Sequence, residues 1–319
     1  MRSKTPGSVS PSSLLCACGV SYAIGIDNPL SEATPYYAGV GYVSGALPVV
    51  CQGILPQTAA CVIGATADAI VVAFRGTLAS SLTDVLTDVL TDLMAPPYQP
   101  SGWPGSVHSG FFLSVMEIMP AIVTAVNGLM TQYPNLPLVL TGHSKGGGMA
   151  SLAAWYFQAH QVAAADQIFV TTFASPAPGT TAFAASYQKL FEQSNYINYL
   201  DIVPFLPPDA AIAKMMANLY PDSKLWTDLI NAFIAWDYRH AASANYFILS
   251  DGKISTLVTH YGDFELDLKT ALEAKEYSQI LAAHSHACPT TAGTHGYMTA
   301  ICPGVCPLPA PATAGGEGP

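Results

Sequence analysis

The sequence predicts an α/β fold, a mostly parallel sheet with helices against both faces. Three observations carry this. Short apolar, β-branched runs recur along the chain: Ala69-Ile-Val-Val-Ala-Phe74, Leu138-Val-Leu-Thr141, Gln167-Ile-Phe-Val-Thr-Thr-Phe173 and Tyr196-Ile-Asn-Tyr-Leu200. Longer stretches with helical patterning separate them, over about 111–133, 146–161 and 182–193. Strands that alternate with helices pair in parallel, and a parallel sheet is covered on both faces. Finally, 319 residues are enough for one large domain with a sizeable core.

Taken in order, residues 1–13 read as a polar, disordered lead, and the Pro/Ala/Gly-rich tail 307–319 reads as disordered too, which leaves 14–306 as a single domain. A helix is expected from Leu14 to Ile26, ending at Asp27-Asn-Pro29. Residues 31–60 are loop-rich. After the strand at 69–74 come tandem Thr-Asp-Val-Leu units, in which Leu82, Val85, Leu86, Val89, Leu90 and Leu93 share one helical face opposite Asp84, Asp88 and Asp92. Pro96 and Pro97 end this helix. A surface helix packed on the core is one reading; its place just beyond a strand end makes a mobile lid over about 79–97 the other. Further on, residues 209–240 read as helical, Asn245–Leu249 and Lys253–Leu257 as a hairpin turning at Asp251-Gly252, and Leu266–Ala283 as one last helix.

Composition narrows the setting. Half the residues are apolar and 10% are charged, against roughly 25% charged in a typical soluble domain. Such a surface suits a lipid–water interface or the outside of a cell. A net charge of −10 without any basic cluster argues against a nucleic-acid partner. No apolar run reaches the roughly 18–20 residues of a membrane span, so no integral membrane segment is expected. The seven cysteines lack metal-site spacing. Their grouping near both termini suggests disulfides and a secreted, oxidising location, although Leu14-Leu-Cys-Ala-Cys18 is too short for a signal-peptide core.

The chemistry centres on Gly142-His-Ser144-Lys-Gly146, where a strand pattern stops and a helix pattern starts. This fits G-x-S-x-G, the nucleophile elbow of α/β-hydrolases, a sharp turn that exposes the serine hydroxyl. It also leaves the Lys145 N–H at a helix N-terminus, aimed where an oxyanion forms. The rival reading, a phosphate-binding loop, wants G-x-G-x-x-G or a G-K-[ST] ending, and neither is present. An elbow serine needs a base, and the base needs a carboxylate, in the chain order Ser, acid, His. Asp201 is the one carboxylate directly after an apolar strand, whereas Asp166 reads as a helix-end or turn residue and Asp209 and Asp222 as solvated. His108, His143 and His160 come too early, and His240 reads as a structural hydrogen-bonder. His260 follows the hairpin, while His284 and His286 close the last helix. His295, in Gly293-Thr-His295-Gly-Tyr297, is the preferred base, with those three as alternatives. Thr77, at the end of a strand, would supply the second oxyanion donor. No metal or cofactor is called for.

Five ordered stretches resemble the class 3 (fungal-type) lipase family: Val71-Val-Ala-Phe-Arg-Gly-Thr77, Val107-His-Ser-Gly-Phe111, Leu140-Thr-Gly-His-Ser144-Lys-Gly-Gly147, Thr172-Phe-Ala-Ser-Pro-Ala-Pro-Gly179 and Asp201-Ile-Val-Pro-Phe-Leu-Pro-Pro208. The resemblance implies an α/β-hydrolase fold with an amphipathic lid helix after Thr77. It implies a triacylglycerol lipase or carboxylesterase with a Ser144–Asp201–His triad, oxyanion donors at Thr77 and Lys145, and acyl-ester substrates at a lipid–water interface. It also implies a terminal disulfide from Cys16 or Cys18 to Cys302 or Cys306. Lys145 replaces the family's usual leucine, and the lid stretch lacks the tryptophan often found there. A feruloyl-type esterase or a phospholipase A1 are rivals within hydrolases, and a non-catalytic lipid-binding protein is the rival outside them.

Overall fold

The apolar runs lie side by side in one sheet. The structure is a computed structural model, and it describes residues 9–23, 39–43, 49–52, 59–77, 95–208, 213, 224–285 and 296–302. The eight strands are β1 (Val49–Gln52), β2 (Ala60–Ala65), β3 (Ile70–Phe74), β4 (Leu138–His143), β5 (Ile168–Phe173), β6 (Gln193–Asn198), β7 (Ala244–Ile248) and β8 (Ile254–Ser255). Each pairs with its predecessor in the chain. Strands β3 to β7 run parallel, and antiparallel pairs close both edges.

That sequential order decides where the helices go. Right-handed crossovers between successive parallel strands put every connecting helix on one face. Helices α2 (Ser109–Gln132) and α3 (Lys145–Ala159) lie on that face with α4 (Thr181–Tyr187). There Phe111, Val115, Ile118 and Ile122 meet Ile70, Val72, Phe74, Leu138 and Leu140 in one core. The opposite face carries Val71, Ala73, Val139 and Phe173 and has no crossover to cover it. The two ends of the described chain cover it instead: α1 (Pro11–Tyr22) brings Leu14, Leu15 and Val20, and α8 (Tyr297–Ile301) brings Tyr297 and Met298. Burying one large apolar side chain of this kind contributes about 1.5–3 kcal/mol.

Between them lie α5 (Lys224–Trp236), α6 (His260–Glu273) and α7 (Tyr277–His284). The expected single helix over 266–283 is thus two. Lys275 adopts φ 58°, a left-handed conformation that an α-helix cannot contain. The first helix starts earlier than its apolar pattern, because Pro11 fixes a helical φ and the Ser10 hydroxyl accepts the Ser13 N–H at 3.1 Å. Residues 11–13, expected within a disordered lead, are the first turn of this helix. A ribbon of two-residue strands (Pro97–Tyr98, Val107–His108, Gly179–Thr180 and Tyr238–Arg239) had no sequence signal, since two residues show no periodicity.

By length and composition α2 is apolar enough to cross a membrane, contrary to the expectation that no run reaches that length. Its buried residues form a face against the sheet and α3, as in a core helix. The lid stretch, with Leu82, Val85, Leu86, Val89, Leu90 and Leu93, lies outside the described residues, as does the tail 307–319. Cys16, Cys18, Cys61 and Cys302 are buried thiols in no disulfide. Of the implied terminal pairings, Cys16 and Cys302 are brought close enough for each thiol to shift the other's pKa, with the Ser12 hydroxyl 3.0 Å from the Cys302 sulfur. Cys306 lies outside the described residues.

Candidate active site

Strand β4 ends at the elbow. Ser144 takes φ 58° and ψ −134°, outside the ordinary regions for a side chain with a Cβ. Such a conformation costs roughly 1–3 kcal/mol and persists only where its surroundings enforce it. They do so here: the Ser144 N–H donates to the Phe173 carbonyl at 3.0 Å, and helix α3 starts at the next residue. The turn is so tight that a Cβ on Gly142 would overlap the Gly146 carbonyl and stand 2.7 Å from the Gly147 nitrogen. Backbone on both sides cannot give way. We expect Gly142→Ala to lose about 1–3 kcal/mol or more of folding stability, read from the denaturant midpoint, together with most activity. Wild-type stability in that variant would show that the turn has room for a side chain at Gly142.

Asp201 stands three residues beyond β6, not directly after it. The strand stops at Asn198 and the chain turns through Leu200 at φ 64°, with the Asp201 N–H donating to the Asn198 carbonyl at 3.1 Å. The carboxyl group is fully buried. His284, the last residue of α7, lies between it and the serine. Its Nδ1 is 3.0 Å from Asp201 Oδ1 and 3.1 Å from Oδ2, and its Nε2 is 3.0 Å from Ser144 Oγ. A carboxylate only accepts, so Nδ1 carries the proton and Nε2 is left to accept from the serine hydroxyl.

The imidazole in this place is therefore that of His284, not of His295, which lies outside the described residues together with His286. His260 opens α6 and faces Asp263, its Nδ1 3.3 Å from Oδ2. His240 donates through Nε2 to the Pro204 carbonyl. His143 is nearer the site than expected, its ring centroid 4.9 Å from that of His284 and its Nδ1 3.0 Å from the Tyr22 hydroxyl.

Of the expected oxyanion donors, Lys145 follows the serine directly, and the backbone just before Thr77 runs against the elbow. Lys145 is the first residue of α3, so its N–H is among those with no partner inside the helix. Thr77 follows Gly76, whose backbone runs against the elbow: a Cβ there would stand 2.7 Å from the His143 carbonyl oxygen and 3.1 Å from the Ser144 Cβ.

Two residues that sequence reasoning missed complete the surroundings of the acid. The Tyr297 hydroxyl donates to Asp201 Oδ2 at 2.6 Å and accepts the Asn198 N–H at 2.9 Å. The Val203 N–H donates to Asp201 Oδ1 at 3.0 Å. Burial, and then the Asp201 charge beside it, raise the Tyr297 pKa well above the ordinary tyrosine value, so the phenol stays a donor. No local motif marks Tyr297, which is 96 residues from Asp201.

Residues 71–211 match the sequence family described as Lipase (class 3). The matched segment holds Thr77, Ser144, Lys145 and Asp201, and it ends well before His284 and Tyr297. A lipase from Rhizomucor miehei is 35% identical over 106 residues, 33% of this chain and 29% of that protein. Secreted mono- and diacylglycerol lipase 2 from Gibberella zeae is 31% identical over 136 residues, 39% of this chain and 33% of its own length. The chain thus spans about a third of the length of these curated relatives. The structure of the Rhizomucor miehei triacylglyceride lipase superposes with a TM-score of 0.55 at 22% identity, over 74% of this chain and 78% of that one. That likeness gives the fold, an α/β-hydrolase with a mostly parallel central sheet.

Proposed function

We propose that this chain is a lipase of the class 3 type, a serine carboxylic-ester hydrolase that cleaves acylglycerols through Ser144, His284 and Asp201. One observation carries the reading: a single buried imidazole hydrogen-bonds the strained serine with one nitrogen and the buried carboxylate with the other.

In the first half-reaction His284 Nε2 takes the hydroxyl proton as Ser144 Oγ attacks the ester carbonyl. Asp201 holds the other ring nitrogen and stabilises the imidazolium. The carbonyl oxygen becomes an oxyanion, held by the Lys145 and Thr77 N–H groups. The tetrahedral intermediate collapses, the alcohol leaves with the proton from His284, and an acyl-enzyme remains. Water, deprotonated by the same imidazole, then releases the fatty acid and restores Ser144. Each backbone oxyanion donor is worth roughly 100- to 1,000-fold in rate.

The names of the Rhizomucor miehei and Gibberella zeae proteins support acylglycerols as substrates, and the latter supports an extracellular place of work; long-chain acylglycerols are insoluble in water, which puts their hydrolysis at a lipid–water interface. The low proportion of charge, 10% of residues, fits both. The test is hydrolysis of emulsified long-chain triacylglycerol against soluble short-chain esters, by wild type and Ser144→Ala. We expect Ser144→Ala to abolish both activities, with triacylglycerol the better substrate. Full activity in Ser144→Ala overturns the assignment, and activity confined to short soluble esters overturns the choice of substrate.

A further inference from the structure

Ser285, directly after His284, leaves the site, and the chain returns to it at Tyr297. The two are joined there, since the Tyr297 N–H donates to the Ser285 carbonyl at 3.0 Å. The same residue's hydroxyl holds Asp201 Oδ2, and its ring meets the edge of His143, centroids 5.4 Å apart. A second tie runs in parallel. Asn198 Nδ2 donates to the Ala283 carbonyl at 2.9 Å, while the Asn198 N–H donates to the Tyr297 hydroxyl. The backbone on both sides of His284 is thereby fastened to the groups that hold the acid. This matters because His284 ends an eight-residue helix, and terminal turns fray when their last carbonyls are unpaired. Tyr297 itself is fully buried on a helix packed against α1.

We propose that Tyr297 is a positioning residue for hydrolysis: it clamps the end of α7 to Asp201 and so fixes the base between acid and nucleophile. This rests on the assignment of Ser144, His284 and Asp201 given above. The hydroxyl acts in two ways. It donates to Oδ2, so that both carboxylate oxygens, Oδ1 through the Val203 N–H and Oδ2 through the phenol, are held while they face the His284 Nδ1. It also links β6 to the carboxylate through the Asn198 N–H, so the acid cannot turn without breaking two bonds.

The test is Tyr297→Phe beside Met298→Ala. Phenylalanine keeps the ring, its contact with His143 and the backbone bond to Ser285, and it removes only the hydroxyl. Met298 is buried on the same helix and lies outside the hydrogen-bond network of the site, so its truncation loosens the helix and leaves the clamp in place. Displacement of catalytic groups by about 1 Å can cost on the order of 100-fold in rate. We therefore expect kcat of Tyr297→Phe to fall roughly 10- to 100-fold with KM within a factor of two. Met298→Ala should lower the melting temperature more than Tyr297→Phe does and leave kcat near wild type. Equal kcat in Tyr297→Phe and wild type overturns the clamp. So does a loss of kcat that follows the melting temperature alike in both variants. Ser144→Ala, run alongside, separates the two failures: if it too keeps activity, the hydrolase assignment has failed rather than the clamp.

Discussion

Replacing His284 with alanine lowers kcat for ester hydrolysis by roughly 10⁴-fold or more, as expected when a triad loses its base, while His295→Ala stays within a few-fold of wild type. The difference follows from geometry. The His284 ring spans from Ser144 Oγ at 3.0 Å to the Asp201 carboxylate at 3.0 and 3.1 Å, which satisfies both nitrogens and leaves no room for a second imidazole between the same partners. Progress curves for the two purified variants, with circular dichroism to confirm folding, read the outcome. Loss confined to His295→Ala would restore the order expected from sequence. Loss in both variants would mean that the 286–295 stretch also takes part.

The second large effect is that of Asp201→Asn, expected to cost about 10⁴-fold in kcat with KM little changed. Three donors converge on this carboxyl group: the Val203 N–H, the Tyr297 hydroxyl and the His284 ring N–H. An amide offers one oxygen in place of two, so its NH2 must face one of the three. Facing His284, it forces the other tautomer and puts the proton on Nε2, where the serine needs an acceptor. Facing Val203 or Tyr297, it leaves a buried donor unsatisfied, which costs about 1–3 kcal/mol of stability. Kinetics and thermal unfolding of the one variant separate these cases. Unchanged kcat would show that the carboxylate charge is not needed to hold the imidazolium.

How much of this was legible in the sequence varied with range. Ser144 and Asp201 could be read because each sits in a local pattern that its chemistry demands, a glycine-flanked turn for one and an apolar strand end for the other. The base could not be fixed in the same way. His284 and His295 are both polar residues beyond a helical stretch. What brings His284 to the site is a break at Lys275, where a lysine between alanine and glutamate takes φ 58° in a stretch that reads as continuous helix. Tyr297 was invisible for a related reason, since its partners Asn198 and Asp201 are 99 and 96 residues away. The strands of the sheet were legible from their β-branched runs. Their strictly sequential order was not, nor was its result, a sheet face that no crossover helix can reach.

That bare face has a consequence for the order in which the protein is made. A growing chain that has passed β7 holds every parallel strand, the helices of one layer and α1, yet it lacks α8, which completes the cover over Val71, Ala73, Val139 and Phe173. The helix that covers it first, α1, is made before any strand, and its partner α8 is made last among the described elements. The Ser12–Cys302 contact spans 290 residues. Contacts so remote in sequence form late and slow folding, and until they form, the exposed apolar face favours aggregation. Refolding followed by hydrogen-exchange labelling should therefore protect the amides of α1 and of 297–302 in one shared, final step, and esterase activity should return only with that step.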